Sequence, residues 1–140
     1  MTTLAFDSAI DDVARGAIDF DTDTFFAMLV SSAYTPNKGT HAKRSDVTNE
    51  ITGTGYTAGG QAIVATVTKD TVNHRVDVAF GTISWPNVTA TGIRQMVIYK
   101  RRGGVASADE LVACIDNGSD IAPTAQTVQF TPGNPLRFAN

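Results

Sequence analysis

Three aspartates at alternating positions, Asp19, Asp21 and Asp23, form the densest set of hard oxygen ligands in the 140-residue chain. A calcium loop of the EF-hand type opening at Asp19 needs glycine at its sixth position and a bidentate glutamate at its twelfth. Thr24 and Val30 stand there, so the EF-hand is excluded. A looser site built from the three carboxylates stays open beside the plainer reading of an acidic turn. Gly53-Thr-Gly55-Tyr-Thr-Ala58 fits a loose dinucleotide pattern, whose chemistry requires a helix directly after the glycines to face a pyrophosphate. Gly59-Gly60 and then a strand-like run follow instead, so these glycines are expected to shape a connection between strands. His41 and His74 are the only imidazoles and have no carboxylate or thiol at ligand spacing. Cys114 is alone, which rules out an internal disulfide and a cysteine zinc site within one chain. In its apolar surroundings it reads as an inert buried thiol. No nucleophile elbow, zinc-protease helix or phosphate loop is present. The expectation is a protein that is not an enzyme and uses no metal or cofactor.

The elements that must carry these residues are mostly strands. Thr, Val and Ile total 41 residues against 10 for Leu, Glu and Lys, and branching at Cβ suits a pleated surface better than a helix. One short helix is expected within residues 6–17, with Ile10, Val13, Ala14 and Ala17 as its apolar stripe. Asp7 or Ser8 would cap it, and Gly16 would supply the left-handed exit. Eight strands are expected at Thr24–Ser31, Val47–Ile51, Gln61–Thr68, Arg75–Phe80, Ile83–Trp85, Ile93–Lys100, Leu111–Ile115 and Thr127–Thr131. The first is apolar throughout, as a strand buried on both faces would be. Arg75–Phe80 alternates, with Val76, Val78 and Phe80 inward. Asp116-Asn117-Gly118 reads as a turn. About eight short strands with regular turn signals predict an all-β sandwich, jelly-roll-like, or a barrel, in a single domain 1–140. The sandwich would occupy 22–131, and 132–140 would form a C-terminal tail.

Charge divides along the chain. Residues 1–36 carry a balance of −5, residues 37–102 carry +5 and residues 103–140 carry −3. A nucleic-acid module is normally basic overall, whereas this chain has a net charge of −3, so no nucleic-acid partner is expected. The longest apolar run, Phe25–Val30, falls far short of the roughly 18 residues that span a bilayer, so no membrane partner is expected either. The opening residues carry no basic and apolar pair of regions, so no secretory signal is expected. Two long polar segments, Thr35–Ser45 and Arg101–Asp109, read as loops. With Lys100 they hold Lys38, Lys43, Arg44, Arg101 and Arg102, six of the eleven basic residues. These six are the expected partner contacts, because long irregular segments on a compact domain are often binding loops.

Asp21-Thr-Asp-Thr-Phe-Phe-Ala-Met-Leu-Val-Ser-Ser-Ala-Tyr-Thr-Pro-Asn37 with Thr40-His41, Arg44–Gly60 and Val97-Ile-Tyr-Lys100 together resemble a group of small tailed-bacteriophage virion proteins. The resemblance spans about residues 6 to 118, with Tyr34-Thr-Pro-Asn37 and Gly53–Gly60 its most specific pieces. It implies a structural virion protein made in the host cytoplasm, akin to β-rich capsid cement or decoration proteins. The implied partners are the major capsid protein and further copies of the chain, as a homo-dimer or homo-trimer. A tail or baseplate component, with a host-binding role, is the alternative it leaves open.

Overall fold

The computed structural model describes residues 1–140 as ten strands and one α-helix. Strands account for 49% of the chain, and the α-helix with two short 3-10 turns for 10%, as the excess of Cβ-branched residues requires. In order they are β1 (Thr2–Ala5), α1 (Asp7–Ala14), β2 (Phe25–Ser31), β3 (Gln61–Ile63), β4 (Ala65–Asp70), β5 (Arg75–Phe80), β6 (Ile83–Val88), β7 (Ile93–Lys100), β8 (Leu111–Ile121), β9 (Gln126–Phe130) and β10 (Gly133–Ala139). Every pairing is antiparallel. One layer is a five-stranded sheet in the order β1-β8-β7-β2-β3; the other is divided into β10-β5-β4 and β6-β9.

The main core lies between the layers. Phe25, Ala27 and Leu29 of β2 and Met96 and Ile98 of β7 meet Val78 and Phe80 of β5, Ile83 and Trp85 of β6, and Val128 and Phe130 of β9. Phe25 stacks on Phe20 at 5.2 Å between ring centres, and Phe80 meets Phe25 edge-on at 5.7 Å. The other face of the large sheet is buried too. Met28, Val30, Val97, Tyr99, Leu111 and Cys114 of the sheet lie beneath Phe6 and Tyr34. Burial on both sides is why β2 reads as unbroken apolar sequence rather than as an alternation.

Several expectations need correction. The segment 132–140 is not a tail: Leu136 and Phe138 pack inward, and β10 pairs with β5. Its Pro135 is tolerated because β10 is an edge strand whose register breaks between Gly133 and Leu136. Val47–Ile51 forms no strand, only a bridge from Glu50 to Val30, because Asn49 turns the backbone into the left-handed region at φ 61°. Gln61–Thr68 is two strands, since the chain crosses from one layer to the other at Val64. β8 runs past Ile115 to Ile121; the expected Asp116-Asn117-Gly118 turn survives inside it as an outward excursion opposite β7, with Asp116 Oδ1 accepting the Gly118 N–H. The helix begins at Asp7 with Phe6, not Asp7 or Ser8, in the cap position. Ile10 faces solvent and the helix docks through Ala9 and Val13. No helix is long and apolar enough to cross a membrane.

Candidate functional site

The two polar loops converge at one end of the five-stranded sheet because the two residues just before β8 draw them there. Asp109 and Glu110 are 1% and 3% exposed. A carboxylate that deep is tolerated only when cations and hydrogen-bond donors replace its water. Arg44 Nε donates to Asp109 Oδ2 at 2.7 Å, and the Arg102 backbone N–H donates to Asp109 Oδ1 at 2.9 Å. The Arg102 guanidinium spans both Glu110 oxygens, Nε lying 3.0 and 3.1 Å from them, with Lys43 Nζ at 3.7 Å. Backbone bonds add to the clamp: the Arg44 N–H donates to Asp109 O and the Leu111 N–H to Ala42 O. Burial works against the Glu110 carboxylate, yet the Arg102 fork and the Lys43 charge hold it below the usual carboxylate range.

Lys100 is held in the same way. Its ammonium lies 2.8 Å from Asp23 Oδ2 and donates to Ala17 O at 2.6 Å. Burial opposes the charge on Asp23, but the Lys100 bond and the Asp19 N–H keep that carboxylate below its ordinary range. Lys43, Arg44, Lys100 and Arg102 are therefore occupied within the chain. Arg101 has no carboxylate partner, and its guanidinium carbon lies over the Phe26 ring, 4.3 Å from the ring centre. Lys38 is exposed; its carbonyl accepts the Asp7 N–H, and its ammonium takes part in no ion pair. Of the six nominated residues, five gather around the clamp and only Lys38 and Arg101 keep charges free of a carboxylate. The sequence reading missed Asp109 and Glu110. Their only signal was adjacency to the apolar run of β8, and acids flanking a strand usually face solvent.

The remaining candidates resolve into structure. Asp19 Oδ1 accepts the Asp21 N–H and Asp23 Oδ2 the Asp19 N–H, so the aspartates cap their own turn. No group of three or more His, Cys, Asp or Glu side chains is placed to hold a metal ion. After Gly53–Gly60 comes β3 rather than a helix, and the glycines serve close approach. A Cβ at Gly60 would lie 1.7 Å from Ala27 O, and one at Gly53 would lie 2.4 Å from Thr89 O. That loop is pinned by Glu50, whose Oε1 accepts the Tyr56 hydroxyl and the Gly59 N–H; the Tyr56 oxygen in turn accepts the Leu29 N–H. Between it and the clamp runs a cleft of about 270 Å³ lined by Phe26, Arg44, Glu50, Tyr99 and Arg101. His41 Nδ1 pairs with the Tyr34 hydroxyl at 2.9 Å and stacks on its ring. Cys114 Sγ donates to Gln95 Oε1, and burial pushes its thiol up to about 12, where the reactive thiolate is scarce at neutral pH.

The arrangement is suited to holding shape: charges close loops onto a sheet, and the cleft they frame presents an aromatic floor with a cationic rim. No family model, curated protein or solved structure matches the chain.

Proposed function

We propose that the chain is a structural bacteriophage virion protein, a capsid cement or decoration protein that binds the shell of major capsid protein across capsomer junctions. The observation that carries this reading is the clamp. Two loops far apart in sequence are fixed side by side by Asp109 and Glu110, leaving Lys38 and Arg101 directed to solvent. Loops already ordered lose little freedom on binding, so modest contacts suffice for affinity. Repetition over many equivalent shell sites multiplies them. A protein buried on both faces of its main sheet, with side chains committed to packing and ion pairs, is built for rigidity rather than turnover. The likeness of Tyr34–Asn37 and Gly53–Gly60 to small phage virion proteins adds to this, since Tyr34 packs on the outer face of that sheet and Gly60 passes against the backbone of β2.

The test is a count of copies per purified virion by quantitative mass spectrometry. Hundreds of copies in fixed ratio to the major capsid protein support the reading. A handful copurifying with detached tails would favour the tail or baseplate alternative and overturn it, as would absence from mature particles.

A further inference from the structure

β4 is the outer strand of the β10-β5-β4 sheet and the longest edge strand with an unbroken register, six consecutive pairs with β5. The Gly81 N–H donates to Val64 O at 2.9 Å, which extends that register by one step and fixes its phase. Residues directly opposite in an antiparallel pair alternately exchange hydrogen bonds with the partner and direct them away. Thr66, Thr68 and Asp70 therefore bond to β5, while Ala65, Val67 and Lys69 turn their N–H and C=O groups to the open edge. Thr66, Val67, Thr68 and Lys69 are all exposed. No proline, bulge or covering loop blunts this edge; of the usual protections of an exposed strand it carries only a single lysine, Lys69.

We infer that β4 is a homodimerisation edge, pairing antiparallel with β4 of a second copy about a two-fold axis at Val67. Symmetry and phase select the register. With Val67 opposite the second copy's Val67, Ala65 faces Lys69 in both directions, and all three free residues of each edge find partners, giving six intermolecular hydrogen bonds. A shift of one residue puts bonding groups out of phase. A register centred on Thr68 matches only two free residues of β4 on each edge, and one centred on Lys69 sets two ammonium groups face to face, which is destabilising. In the selected register each lysine lies over a small alanine and the two lysines sit at opposite ends. Thr66 meets Thr68 across the other face, a favourable cross-strand pair.

The apolar surface beside the edge fits the same occupant. Val67 is 38% exposed on the rim of an open groove of about 440 Å³, mostly apolar through Val13, Ile18, Phe20, Val78 and Phe138, with Asp19 and Asp21 also in its lining. Pairing at β4 sets the second Val67 against the first on that same side, so the two grooves join into one apolar trough across a six-stranded sheet. This inference stands apart from the capsid reading, because it concerns the chain alone in solution.

The test is the oligomeric state of the purified full chain by sedimentation over a concentration series, with four substitutions. Val67→Lys opposes two charges on the axis, and Val67→Pro removes an N–H that β5 does not use. Each should raise the dissociation constant at least about tenfold while the circular dichroism spectrum is kept. Val67→Cys should form an oxidised dimer, since bonded antiparallel pairs hold Cα atoms about 5.5 Å apart, within disulfide range. Thr68→Cys should not, its mate being a diagonal neighbour about 7–8 Å away. The native Cys114 is buried and does not confuse the readout. A chain that is monomeric throughout, a dimer that Val67→Lys leaves intact, or equal cross-linking at the two positions would overturn the inference.

Discussion

Four of the six basic side chains that look like free contact points in the sequence are answering acids of the chain itself, three of them the buried Asp109 and Glu110. Arg44 is the clearest case, pairing with an Asp109 side chain only 1% exposed. Removing one member of such a pair leaves a charge without water or partner, at a typical cost of about 3–5 kcal/mol. Arg44 keeps 23% of its side chain exposed, so water can reach the gap, and Arg44→Ala is expected near the lower bound, about 3 kcal/mol. Lys38→Ala should change stability by less than about 0.5 kcal/mol. Urea midpoints of the two variants check this contrast. The same carboxylates set an acid limit. Asp23 and Glu110 are held below their ordinary values of 3.8 and 4.5 in the fold. Each therefore takes up its proton more readily unfolded, so its contribution is complete above the ordinary value and is lost as pH falls through the depressed folded one. Stability should decline on acidification below about pH 4.5, and Glu110→Gln should flatten that decline as well as lower the neutral-pH plateau. A variant with the parent's acid slope would show that Glu110 contributes no linkage.

At the level of elements, the loop before β3 gives the sharpest contrast between neighbouring glycine-rich segments. Gly60 has φ +77°, and an added Cβ would lie 1.7 Å from Ala27 O, a backbone atom of β2 in the five-stranded sheet. Gly60→Ala combines left-handed strain with a collision that moves β2 or β3, and should cost at least about 3 kcal/mol. Gly104 has open space around it and no positive φ, so Gly104→Ala should leave stability unchanged or raise it by up to about 1 kcal/mol through the unfolded chain. Thermal denaturation of the two variants decides the matter, and equal losses would show that the close approach at Gly60 is not what constrains it. These elements also show how far periodicity reads. Thr24–Ser31 and Arg75–Phe80 declare themselves because burial on two faces and on one face leave different patterns. β1 and β10 do not: Thr2–Ala5 is too short to set a period, and β10 carries a glycine, a proline and a broken register. The clamp was illegible for another reason. A sequence marks Asp109 and Glu110 as charged, and only the return of two loops sixty-five residues apart makes them buried.

Across the whole molecule, the division of charge turns out to be largely internal. The acidic first block meets the basic middle through Asp23 and Lys100, and the third block supplies Asp109 and Glu110 to the rest of that middle. This changes how the shell-binding proposal should be probed. Reversing Lys43, Arg44, Arg101 and Arg102 together is the direct charge test of the expected contact loops, on the expectation that assembly suffers more than folding. In the fold it would face three reversed charges toward buried carboxylates, and loss of binding would only report loss of structure. Lys38→Glu with Arg101→Glu avoids the clamp, because neither side chain has a carboxylate partner. Its intrinsic cost is the stacking of Arg101 on Phe26, about 0.5–1 kcal/mol at an exposed site. The double variant should keep its melting temperature within a few degrees of the parent. Its binding to shells should fall about tenfold or more at low salt, converging on the parent as ionic strength rises and screening removes the difference. Binding equal to the parent's at every salt concentration would detach these two charges from assembly and leave the clamp with a purely internal role.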